Sequence, residues 1–124
     1  MAFAITARTF VPEVAGWEPQ LSTKGLYRVS LKPRLEPVPI GEVHSWLVEV
    51  TEPQGGQIDV EVRFAGEMPG HGHGLSAAAE VTYDEVAERH IVEGVRFSMA
   101  GNWLLRVDIT GPAGDDMAIF GLNL

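Results

Sequence analysis

Two of the four histidines, one of the four methionines and three of the fourteen glycines fall within Met68-Pro69-Gly70-His71-Gly72-His73-Gly74. Histidines at i and i+2 of an extended segment share one side, with Cα atoms roughly 7 Å apart. Glycine lets the backbone take positive φ and curl toward whatever the rings bind. Imidazole and thioether together suit copper better than any hard cation, because sulfur is a soft ligand and imidazole a borderline one. The same residues also fit a tight glycine-rich loop whose histidines hydrogen-bond to nearby carbonyls, and both readings stay open at this point.

Further donors stand elsewhere in the chain. His44 opens a strand on the face of Trp46, and Met99 closes another on the face of Val95 and Phe97, just before a tight turn at Ala100-Gly101-Asn102. Strand ends and a histidine loop can converge at one end of a sandwich, which makes His44, Met68, His71, His73 and Met99 the candidate metal ligands. Against ligation, His44 also reads as a core-rim histidine satisfied by a carbonyl, and Met99 as core filling, the usual use of methionine. Met117 reads as core or surface. His90, after a charged stretch, reads as solvated.

Catalysis finds little support. Asp84, Glu85 and Glu88 form an acidic run of the kind found in solvated loops. Ser45 and His44 are strand neighbours and point to opposite faces. Ser76 and Ser98 lack the Gly-x-Ser-x-Gly elbow, the loop at 66–74 lacks the Gly-Lys-Ser/Thr ending of a phosphate loop, and no His-Glu-x-x-His is present. The expectation is a protein that is not an enzyme.

Period-two alternation dominates from residue 26 onward. Tyr27, Val29 and Leu31 share a face; so do His44, Trp46, Val48 and Val50; Ile58, Val60, Val62 and Phe64; Val95, Phe97 and Met99; Trp103, Leu105, Val107 and Ile109; and Phe120, Leu122 and Leu124. Glu52 to Gly56 reads as a hairpin loop, and Gly111 to Asp116 as the joint between the last two strands. Pro33, Pro37 and Pro39 mark an irregular crossing. Residues 76–88 hold the only helical possibility, although Val81-Thr82-Tyr83 favours a strand, and residues 1–25 read as an edge strand or loosely packed arm. The predicted fold is all-β: one antiparallel, immunoglobulin-like β-sandwich of Greek-key type over residues 1–124, with about seven strands. Trp46, Val48, Val60, Val62, Phe64, Phe97, Trp103, Leu105 and Val107 are expected in its core.

A chain of 124 residues, 45% hydrophobic and 21% charged, is long enough for one proper core. The net charge of −8 excludes an electrostatic nucleic-acid face and mildly favours the approach of cations. With no cysteine there is no disulfide framework, thiolate site or thiol nucleophile. No apolar run approaches the roughly 18 residues of a membrane span, and residues 1–8 do not read as a signal peptide. The protein is therefore expected to be cytoplasmic, or to be a portion whose leader or anchor lies elsewhere.

Three blocks together resemble the YtkA-like domain family, related to FixH-like proteins. They are His44-Ser45-Trp46 opening a strand, Met68-Pro69-x-His71-Gly72-His73-Gly74, and Val92-Glu93-Gly94-Val95-Arg96-Phe97-Ser98-Met99-x-Gly101-x-Trp103. The resemblance covers roughly residues 26–124, with the Met-Pro-x-His-Gly-His-Gly block its most specific part. It implies an immunoglobulin-like sandwich, a periplasmic or other extracytoplasmic setting, and a link to copper handling or respiratory oxidase assembly with a membrane-protein partner. The chain departs from that pattern at Ser98, where many members carry histidine. The alternative is a metal-free interaction module with a structural Gly/His loop, and a third reading is a cytoplasmic domain of unrelated function.

Overall fold

The computed structural model describes residues 17–124, apart from the side chain of His73. Nine strands follow one another: β1 Gln20–Leu21, β2 Arg28–Pro33, β3 His44–Thr51, β4 Glu61–Met68, β5 His73–Gly74, β6 Glu80–Asp84, β7 Arg89–Val95, β8 Asn102–Gly111 and β9 Gly114–Asn123. Two antiparallel sheets form, in the orders β1-β2-β3-β7-β6 and β5-β4-β8-β9. With β1 and β5 only two residues long, seven longer strands build the sandwich, as the alternation predicts. Residues 1–16 of the expected N-terminal arm lie outside the described residues. Its end is the short edge strand β1, Gln20 opposite Val29.

Inward positions of both sheets make one core. Tyr27, Val29, Leu31, Trp46, Val48, Val92, Val95 and Phe97 meet Val62, Phe64, Met68, Trp103, Leu105, Val107, Ile109, Ala118 and Phe120. Eight of the nine expected core residues are buried; Val60 is partly buried, because β4 begins one residue after it. Each deeply buried aliphatic or aromatic side chain contributes roughly 1.5–3 kcal/mol of transfer free energy. Trp46 anchors the centre, with Trp17 edge-on at 4.9 Å and Phe97 at 6.3 Å.

Several connections differ from the expectation. Glu52–Gly56 is a turn, with the Glu52 amide donating to the Gly56 carbonyl at 2.8 Å. It is no hairpin, because β3 and β4 belong to different sheets. Likewise Arg96–Gly101 is the link from β7 in one sheet to β8 in the other, so Val95, Phe97 and Met99 do not form a strand of their own. The joint before the last strand is tighter than expected, with Gly111 directly opposite Gly114. Residues 80–84 are strand, as Val81-Thr82-Tyr83 indicates.

His90 is the clearest correction: it is buried in β7, not solvated. Opposite β3, Val95 pairs with His44 but Val92 with Trp46, so three steps on β7 face two on β3. Gly94 takes φ +79° there, the left-handed conformation of a bulge that glycine adopts without steric cost. The bulge shifts the inward phase from even residues (His90, Val92) to odd ones (Val95, Phe97). Extending the Phe97 phase backward puts His90 on the wrong face.

Candidate functional site

Antiparallel register brings the start of β3, the end of β7, the end of β4 and the start of β8 to one end of the sandwich. His44 lies opposite Val95, Glu67 opposite Leu104, and the 96–101 link closes the distance between β7 and β8. The β4–β5 turn sits at that end too. The segments that carry His44, Met68, His71, His73 and Met99 are thus gathered at a single end.

Rings line this end. His44 is buried, 5.5 Å from Phe97 and 6.2 Å from Trp46, and Phe97 is 5.0 Å from Trp103. Both His44 nitrogens are engaged. Nδ1 lies 3.0 Å from the Glu42 carbonyl, and Nε2 accepts the Trp46 indole N–H at 3.0 Å. A carbonyl can only accept and an indole can only donate, so the ring is neutral with its proton on Nδ1. The lone pair a metal would need is already taken.

Met68 is buried against the 96–101 link: a Cβ built on Gly101 would stand 2.5 Å from its Cε. The Met68 carbonyl accepts the His71 amide at 3.0 Å, and Gly72 follows at φ +67°, so the turn folds back and pairs His73 with Met68. His71 is exposed on that turn; the His73 side chain lies outside the described part. Met99, expected to point inward, is 37% exposed, because it belongs to the link and not to a strand. Its carbonyl accepts the Trp103 indole N–H at 3.1 Å. Ser98 is exposed on the same link. The link is pinned by the Gly41 amide donating to the Phe97 carbonyl at 2.7 Å and by Arg96 Nε donating to the Gly41 carbonyl at 3.1 Å.

Among the described residues, no three His, Asp or Glu side chains gather so as to hold a metal ion. The donors at this end are instead an exposed imidazole and two thioethers, one buried and one at the rim, a set suited to a soft cation. To join such a set, Met68 would have to turn out from Gly101 and His44 would have to give up Trp46.

The sequence reading missed the Trp46–His44 pair, although i and i+2 on one strand face announces it. It also missed Asp116. This buried carboxylate accepts from Thr23 Oγ1 (3.0 Å) and from the amides of Lys24 (3.0 Å), Leu26 (3.2 Å) and Met117 (2.8 Å). Burial alone would raise its pKa; hydrogen bonds, among them those from the Met117, Lys24 and Leu26 amides, outweigh burial and hold it well below the usual carboxylate range. Asp116 clamps the β1–β2 loop to β9, away from the His/Met end.

No family model matches this chain, and no curated relative matches it in sequence. One solved structure similar in fold is a copper-bound single-residue variant of FetP from uropathogenic Escherichia coli strain F11. Its TM-score is 0.55 at 10% identity, over 87% of this chain and 94% of that one. At that identity the likeness establishes the β-sandwich. Among the described residues, no helix is long and apolar enough to cross a membrane.

Proposed function

We propose that this chain is an extracytoplasmic copper-binding accessory protein, a carrier that takes copper as cargo and passes it to a membrane-bound partner such as an oxidase under assembly. The observation that carries this reading is the gathering of His71, His73, Met68 and Met99 at one end of the sandwich. A copper-bound protein of similar fold and the YtkA-like blocks of the sequence support it. His71 and His73 with one or both thioethers would hold Cu(I) and leave a position for transfer. Met99, at the rim, joins them more readily than His44, whose Nε2 is engaged by Trp46.

A second reading draws on the same hydrogen bonds. With both His44 nitrogens satisfied, Met68 packed on Gly101 and Trp103 tied to Met99, this end also suits a rigid, metal-free interaction module. Copper titration of protein purified without a histidine tag, followed by elemental analysis, separates the two. The carrier binds about one copper per chain, and His71→Ala/His73→Ala abolishes binding. A wild-type melt indifferent to copper, with a strongly destabilised double variant, makes the loop structural.

A further inference from the structure

The segments that carry the candidate donors are held together by little backbone. The His turn returns to its own sheet through two residue pairs, Glu67 with Gly74 and Met68 with His73. The link that carries Met99 belongs to no strand; it leaves β7 after Val95 and enters β8 at Asn102. A metal ion needs its nitrogen and sulfur ligands within roughly 2–2.5 Å. The span between turn and link must therefore be set by side chains.

Arg96 bridges that span. Its backbone is fixed between Val95 and Phe97, both fully buried, and the Phe97 carbonyl accepts the Gly41 amide at 2.7 Å. From this base Nε donates to the Gly41 carbonyl and Nη1 donates to Ser76 Oγ, each at 3.1 Å. Ser76 lies three residues after His73, and Met99 three residues after Arg96. Leu75, just before Ser76, packs against the core and stands 3.2 Å from where a Cβ on Gly66 would be, so Ser76 is itself well anchored. One guanidinium thus ties the exit of the His turn to the base of the Met99 link and to the crossing at 34–43. Both acceptors are neutral oxygens, so the side chain is used here for its rigid planar fork, which lysine lacks. A positive charge at this end repels an incoming cation, and charge therefore gives no reason for an arginine here.

We propose that Arg96 is a positioning residue of the metal site, the brace that sets the span between the His turn and Met99 so that both can close on one soft cation. The inference rests on the copper-carrier reading and deepens it, naming a group that does not ligate the ion yet governs its affinity. Groups of this kind, which orient ligands from outside the coordination shell, typically change metal affinity by about 10–100-fold when lost.

The test uses four variants: Arg96→Leu removes charge and fork, Arg96→Lys keeps the charge, Ser76→Ala removes one contact with the charge intact, and Ser76→Thr restores the hydroxyl. Cu(I) affinity is read by competition with bicinchoninate, and amide shifts of residues 98–100 are read in ¹⁵N-labelled, copper-free protein. Arg96→Leu, Arg96→Lys and Ser76→Ala should each weaken Cu(I) binding about tenfold, with Ser76→Thr close to wild type. Without copper, Ser76→Ala should shift the 98–100 amides, and Ser76→Thr should return them. Having an exposed Ser76 variant covers the case in which Arg96→Leu fails to fold. Tighter Cu(I) binding in Arg96→Leu with wild-type binding in Arg96→Lys would reduce Arg96 to a repelling charge and overturn the proposal. Amides at 98–100 indifferent to Ser76→Ala overturn the brace whether or not copper binds. No Cu(I) uptake by wild type ends the carrier reading, and with it the metal role of Arg96, while those amides still report separately on the brace.

Discussion

Replacing His44 with Phe tests what the imidazole does at the His/Met end. The ring is kept, so contact with Phe97 at 5.5 Å survives, and both nitrogens are lost. The Glu42 carbonyl belongs to an exposed residue and can turn to water. Trp46 is fully buried, and its N–H, which donates to His44 Nε2 at 3.0 Å, is left without an acceptor. Leaving one buried donor unmatched costs about 1–3 kcal/mol. At this chain length each kcal/mol moves the melting midpoint by roughly 3–5 °C, so His44→Phe should melt roughly 3–15 °C below wild type. Trp46→Phe leaves the His44 acceptor unmatched instead and adds a cavity, so it should cost more. In the double variant both partners are gone, and the hydrogen-bond part of the loss should largely vanish, a coupling of about 1–2 kcal/mol. Melts repeated with copper complete the assay, since a ligand that binds only the folded state raises the midpoint. The copper-dependent rise should be the same in His44→Phe as in wild type. Additive single and double variants would refute the hydrogen bond as a stabilising element. Loss of the copper response in His44→Phe would show that the imidazole leaves Trp46 to become a ligand.

Much of this architecture is legible in the alternation of Tyr27–Leu31, His44–Val50 and Trp103–Ile109, because each strand has one buried face and the side-chain period is two. Sheet membership is not, since a turn such as Glu52–Gly56 has the same composition whether it closes a hairpin or crosses between sheets. Phase is lost where one residue is inserted: a single left-handed Gly94 reverses the inward parity and hides His90. At the candidate site, the spacing of Met68, His71 and His73 shows which donors share a loop. Their meeting at one end with Met99 follows from register, which pairs residues dozens of positions apart. The state of His44 depends on Trp46, two residues away and readable in hindsight. The Asp116 clamp depends on a loop some ninety positions earlier in the chain, and nothing local to Gly114-Asp115-Asp116 announces it.

Met99→Leu should weaken copper binding while moving the melting midpoint little, because the side chain is partly exposed and the swap conserves volume; titration of the variant beside wild type reads both. Asp116→Ala removes an acceptor shared by four donors and should cost about 2–4 kcal/mol in urea unfolding. It should also flatten the acid limb of stability. The native carboxyl pKa lies below the unfolded value of 3.8, so its contribution is complete above that pH. It is lost as pH falls further, where the unfolded chain takes up a proton the native carboxylate refuses. Unchanged acid stability in Asp116→Ala would contradict the clamp. The last prediction concerns the bulge that sets the β7 register. At Gly94, with φ +79°, an added Cβ meets nothing within 4 Å, so Gly94→Ala probes backbone strain alone, and an L-residue held left-handed costs roughly 1–2 kcal/mol. Gly121 in β9 is the matched control: it likewise has open space around the added Cβ but no positive φ. Gly121→Ala loses no contact and lowers the entropy of the unfolded chain, so it should be neutral or stabilise by about 0.5–1 kcal/mol. The two substitutions, identical in chemistry, should therefore shift the urea midpoint in opposite directions. Equal shifts would mean that Gly94 is not held in a left-handed bulge, and the inward placement of both His90 and Phe97 would lose its physical basis.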